Sequence, residues 1–152
     1  MKKKLKVKPL NWETYLAVIK NACGSKMWRN NYALVNGKKK DIMNNGDTQC
    51  AFFESSILGI FNWINELHVT VEGTERDLKK SNWKQIKVSP KMPKGSILIW
   101  EEKNGHSHIG FYFGNKKAVS TASAKGYPII HDWLYLGKRQ ILRAYFKNLK
   151  NK

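Results

Sequence analysis

Apolar residues at Leu10, Tyr15, Leu16, Val18, Ile19 and Ala22 recur with the three-and-four spacing of a helix, and the run closes at Cys23-Gly24-Ser25, where glycine is a helix stop. This pattern predicts a first helix from Leu10 to about Ala22. Residues 25–46 lose the rhythm and turn rich in Asn, Lys and Gly; within them MWRNNYALV is expected to form a short second helix or a loop wall. The clearest periodicity follows. Asp47 reads as an N-cap, and CAFFESSILGIFNWINEL continues to about Leu67 with Cys50, Phe53, Ile57, Ile60, Phe61, Ile64 and Leu67 as one buried stripe. A shorter polar helix, TERDLKK, lies between Thr70 and Asn82 and is closed by SNW.

Beyond Trp83 the period changes from helical to alternating. WKQIKV, SILIWEE, HIGFYFG, KKAVST, YPII and RQILRAYF are short runs rich in Ile, Val, Phe, Tyr and Thr, separated by SPKMPKG and by Gly, Asn and Pro signals. Gly114-Asn115 is a hairpin signal. Helices first and antiparallel strands afterwards predict an α+β domain, with the central helix packed on a sheet of about five to six strands. With 152 residues there is material for one core, assigned to residues 10–148, behind a basic N-terminal segment of residues 1–9 expected to be flexible.

Composition supports a packed interior: 41% of residues are apolar and 12% aromatic, and the six Trp are expected to fill the core or rim a groove. Twenty-eight Lys+Arg against eleven Asp+Glu give a formal charge of +17, a field that draws anionic polymers without choosing among them. Much of it sits in residues 1–8, in Lys38–Lys40 and in the C-terminal tail, where like charges are ordinarily solvated. No run of eighteen apolar residues and no signal-type apolar stretch occurs, so the expected location is cytoplasmic, with non-classical export or release by lysis left open. Two cysteines make neither a disulfide framework nor a zinc pattern, and no metal or cofactor is implied.

The chemistry concentrates at Cys50. As a residue in the first turn of the central helix it meets unpaired backbone N–H groups and the positive end of the helix dipole, which lower a thiol pKa and favour the thiolate. An unpaired cysteine is also a common small apolar core residue. A nucleophilic cysteine needs an imidazole as base. Of the four histidines, His68 falls near the far end of the central helix and His131 opens HDW. His106 and His108 lie in GHSHIGFYF, where His108 opens an apolar strand that can share an edge with Cys50. Glu54 and the adjacent Glu101-Glu102 form no carboxylate pair across a substrate.

The ordered set GDTQCAFFESSIL, GTERDLKKSNW, MPKGSILIWEE and GHSHIGFYFGNKKAVST resembles the NlpC-type branch of papain-like cysteine peptidases, over roughly residues 30–135. The resemblance implies a papain-like fold, Cys50 as nucleophile, His108 as base, and a polar third member on the following strand, which falls on Ser120 with Thr121 and His131 as rivals. His106 is the alternative base if the strand begins earlier, and Tyr32 occupies the place of an upstream tyrosine near the nucleophile. Two positions depart from the family: Gln49-Cys50-Ala51-Phe52 replaces Asp-Cys-Ser-Gly, and Ser96 replaces a turn aspartate.

The function expected from this resemblance is a thiol hydrolase cleaving a peptide or other amide, with peptidoglycan stem peptide as the implied substrate and the backbone N–H of Cys50 as an oxyanion donor. The alternative expectation is a non-catalytic basic module that binds nucleic acid or another polyanion, with Cys50 merely part of the core.

Overall fold

The computed structural model describes residues 4–149; the first three residues of the basic N-terminal segment, and Lys150 and Lys152 of the tail, lie outside the described residues. Residues 4–10 are exposed and belong to no helix or strand. Helix α1 (Asn11–Asn21) is followed by a hairpin of β1 (Tyr32–Val35) and β2 (Lys38–Asp41), a 3₁₀ turn at Asn44–Gly46, helix α2 (Cys50–Ile60) and helix α3 (Val71–Lys80). Six strands complete the chain: β3 (Lys84–Ile86), β4 (Ile97–Lys103), β5 (His106–Gly114), β6 (Lys117–Ala122), β7 (Tyr127–Asp132) and β8 (Ile141–Phe146). They form one antiparallel sheet in the order β3-β8-β4-β5-β6-β7, so the architecture is α+β. Among the described residues no helix is long and apolar enough to cross a membrane.

Strand alternation divides the interior between two faces of the sheet. Ile97, Ile99, Ile109, Phe111, Val119 and Tyr145 face the helices, where they meet Tyr15, Ile19, Phe53, Ile57 and Leu78. Leu98, Trp100, Tyr112, Ala118 and Ala144 face the other way and are covered by Met92 and Trp133 from the loops. The Pro93–Gly95 turn is tied to α1 by the Tyr15 hydroxyl, which donates to the Gly95 carbonyl at 2.9 Å, and Ser96 Oγ closes the turn on Pro93 O at 2.6 Å.

Three sequence expectations need correction. The central helix is shorter at both ends: its N-cap is Gln49 rather than Asp47, and it stops at Ile60 rather than near Leu67. Asn62 takes a left-handed conformation (φ 54), and the N–H groups of Phe61, Asn62 and Trp63 bond back to Leu58 and Gly59, a common helix-closing device. The stripe fails from the end of the helix onward: Ile60 and Leu67 are exposed, whereas Ile64 is buried. The first half of MWRNNYALV is loop, with Trp28 buried against Phe53, but its YALV is neither helix nor loop: it forms β1, because Asn36 (φ 51) and Gly37 (φ 74) make a two-residue turn with both central residues left-handed. The third correction is small: the hairpin signalled at Gly114-Asn115 turns on Asn115 and Lys116, with Gly114 still paired to Lys117.

One core residue runs against the pattern. Glu54, four residues after Cys50 on α2, is fully buried, and neither carboxyl oxygen has a hydrogen-bond partner among the described residues. Burial pushes its pKa well above the usual carboxyl range, so it enters the core as the neutral acid. Below the ordinary carboxyl pKa both folded and unfolded chains are protonated and nothing is lost. As pH rises past that value the unfolded chain ionises first, and folding loses up to about 1.4 kcal/mol per pH unit until the folded pKa is reached. Urea unfolding from mildly acidic to alkaline pH should therefore show falling stability in the native chain and a flatter profile in Glu54→Gln; parallel profiles would contradict a neutral buried acid.

Candidate active site

The turn leading into α2 is fixed by a single carboxylate. Asp41 accepts hydrogen bonds from the backbone N–H of Asn31 (3.0 Å), Met43 (3.1 Å) and Asn45 (2.8 Å), and from Asn30 Nδ2 (2.7 Å). These bonds, that from Asn31 foremost, lower its pKa to about 2. Gln49 is wholly buried and donates Nε2 to Gly46 O at 3.1 Å. Cys50 then stands as the first residue of α2, at the opening of the β5 strand: its Sγ lies 4.0 Å from Ser107 O.

Cys50 and His108 line one cleft of about 490 Å³, together with Thr48, Glu72, Thr121, Tyr135 and Arg139. Among the described residues they make no hydrogen bond to one another. His108 Nε2 lies 2.9 Å from Ser120 Oγ. Ser120 Oγ lies 2.7 Å from His131 Nε2 and 3.0 Å from the Tyr135 hydroxyl, and His131 Nδ1 lies 2.8 Å from the Asp132 carbonyl. The buried Trp100 ring packs beside both imidazoles, its centroid 5.2 Å from that of His108 and 5.9 Å from that of His131.

The structure thus brings Cys50, His108, Ser120 and His131 to one place, with Ser120 touching His108 and His131 standing behind it. Thr121 lines the cleft but alternates to the other face of β6 from Ser120. His106 is exposed and lends its carbonyl to Arg139 Nη2 (2.7 Å) rather than joining the chain of side-chain contacts. Tyr32 is not brought to the cleft: it sits on the exposed hairpin with Lys39 Nζ 4.9 Å from its ring centroid.

The tyrosine the site does receive, Tyr135, comes from the opposite direction, from the turn after β7. Tyr135 (φ 52), Leu136 (φ 57) and Gly137 (φ 80) are all left-handed, which costs about 1–2 kcal/mol at each non-glycine residue. Asp132 Oδ1 holds this turn by accepting N–H groups from Leu134 (3.0 Å) and Leu136 (2.8 Å), and the Tyr135 ring stacks on His131 at 4.2 Å. Arg139, at the end of the same turn, donates Nε to Glu101 O at 2.9 Å. Sequence periodicity carried no sign of either residue; the visible signal was an aspartate followed at five residues by glycine in DWLYLG.

Protonation at the site differs from the expectation drawn from helix position. Burial raises the Cys50 thiol pKa above its ordinary value, although the backbone N–H groups of Ile109 and Ala51 and the charge of Arg139 pull the other way. Desolvation therefore outweighs the helix terminus, and the resting group is the thiol, not the thiolate. Burial also lowers His108 to about 3, with the positive charge of Arg139 acting in the same sense. The resting pair is two neutral groups.

Gly110 is the close-approach point of the site. A Cβ there would meet Val119 O at 2.6 Å, Ser120 Cβ at 2.7 Å and Trp100 Cζ3 at 3.1 Å, two of them backbone or near-backbone atoms that cannot swing aside. Gly110 is what lets β6 bring Ser120 against His108. No protein-family model matches the chain, and no curated protein matches its sequence. Gly110→Ala should lower stability by about 1–3 kcal/mol in urea unfolding and separate Ser120 from His108; an unaltered unfolding curve would show that the strands accommodate a methyl group there.

Proposed function

We propose that this protein is a thiol hydrolase of amide bonds, with Cys50 as nucleophile, His108 as general base and then general acid, and Ser120 as the partner of the imidazole. The observation that carries this reading is the placement of a helix-leading cysteine and a half-buried neutral histidine on the wall of one cleft, with His108 Nε2 engaged by Ser120 and Nδ1 left for chemistry. The resemblance to NlpC-type papain-like peptidases supports the same assignment and implies the substrate class, a peptide such as the stem peptide of peptidoglycan.

Because both groups rest neutral, attack and proton transfer go together. Cys50 Sγ bonds to the carbonyl carbon as its proton passes to His108 Nδ1, and the carbonyl oxygen takes up the negative charge near the free N–H groups of the first turn of α2. The imidazolium returns that proton to the amide nitrogen, the C–N bond breaks and the amine leaves a thioester on Cys50. Water, giving a proton to His108, displaces the acid, and the proton returns to sulfur.

The competing reading, a polyanion-binding module, is not favoured by the cleft. In a chain with only eleven acidic residues the cleft wall carries Asp47, Glu72 and Glu102, and the guanidinium of its Arg139 is engaged with the Glu101 and His106 carbonyls.

Intact-mass analysis with a small activated ester separates the two. An acyl adduct should form on Cys50, be absent in Cys50→Ala, and form about 10²- to 10⁴-fold more slowly in His108→Ala. No adduct on Cys50, together with polyanion binding that weakens steeply with salt and ignores Cys50→Ala, would overturn the hydrolase in favour of the module.

A further inference from the structure

We infer that His131 is a positioning residue which, through Ser120, dictates which nitrogen of His108 carries the proton. The usefulness of that control rests on the proposed thiol chemistry; the control itself follows from the contacts.

The direction of the hydrogen bonds begins at a backbone atom. The Asp132 carbonyl has lone pairs only, so His131 Nδ1, 2.8 Å away, must carry a hydrogen. Burial keeps the His131 ring from protonating, against the opposing pull of Asp132, and Nε2 of the neutral ring is then an acceptor. Ser120 has one proton and directs it to that nitrogen at 2.7 Å. Its oxygen faces His108 Nε2 at 2.9 Å and the Tyr135 hydroxyl at 3.0 Å, and both must donate to it. His108 is therefore the Nε2–H tautomer, and Nδ1 keeps the lone pair that a base requires.

With the acceptor at His131 removed, the Ser120 proton turns to one of two atoms, the Tyr135 oxygen or His108 Nε2. In the second case His108 must carry its own hydrogen on Nδ1, where it blocks proton abstraction. Tyr135 thus has a subordinate part: its loss alone leaves the direction intact, but its loss together with His131 leaves His108 as the remaining acceptor in the cluster.

Two-bond 1H–15N correlation of the histidine-labelled full chain at mildly alkaline pH reads these tautomers directly. The native chain should show His108 as Nε2–H and His131 as Nδ1–H. Tyr135→Phe should leave His108 unchanged, His131→Phe should give a mixture, and the double variant should be mainly Nδ1–H at His108. His131→Gln, whose amide oxygen can accept from Ser120, should restore Nε2–H. Cys50 acylation should slow in step, by at least about tenfold in the double variant, against a ceiling of about 10⁴ for a locked wrong tautomer. The indole N–H resonance of Trp100, donated to Trp133 O at 2.7 Å, reports whether each variant keeps the fold, and the native spectrum decides even if one does not. An Nδ1–H His108 in the native chain, or an unchanged His108 in a folded double variant, overturns the inference. If the native chain acylates Cys50 with His108 in the Nδ1–H tautomer, this inference fails and the hydrolase reading stands; the expected tautomers throughout with no acylation of the native chain mean the reverse.

Discussion

A serine hydroxyl has one proton to give and two lone pairs to receive, and Ser120, wholly buried, meets three polar partners with that inventory. Each partner arrives on a different piece of chain: His108 on β5, His131 on β7 and Tyr135 on the left-handed turn behind β7. An unsatisfied polar atom in such a place costs about 1–3 kcal/mol. The cluster thus constrains strand register, turn conformation and imidazole orientation together. The absence of a side chain at Gly110 and the aspartate that pins the 132–136 turn both serve this one meeting point.

Burial sets the character of the chemistry. At an exposed helix start the dipole favours a thiolate, but the enclosing protein desolvates Cys50 enough to reverse that preference, and the same enclosure keeps His108 unprotonated. A neutral pair stores no charge at rest. Under the proposed thiol chemistry, charge would develop only as a carbonyl is attacked beside the first turn of α2, which would concentrate the interaction energy in the transition state.

The sequence was most legible where periodicity and burial coincide. The helix before Cys23, the helix beginning near Cys50 and the switch to alternating strands after Trp83 all show in residue spacing, because each element has one face in the core. The Cys50, His108 and Ser120 set rested on family resemblance; Cys50 and His108 line one cleft, and Ser120 contacts His108 from behind it. The hairpin at 32–41 was missed because Tyr32, Leu34 and Lys38–Lys40 are exposed, leaving only Asn36-Gly37 to announce it. The end of α2 was missed because Asn62 breaks the helix without interrupting the apolar pattern. Tyr135 and Arg139 were invisible for another reason: they reach the cleft from an irregular turn, whose conformation depends on contacts with Asp132 and His131 rather than on any repeat.

The neutral resting pair is tested most directly by the pH dependence of Cys50 alkylation in the full chain carrying Cys23→Ser, with and without His108→Ala. The account predicts a main inflection at or above the ordinary thiol value, and below it a slow His108-dependent reaction that the second substitution abolishes. An inflection several pH units lower, or alkylation at neutral pH that is indifferent to His108, would contradict it.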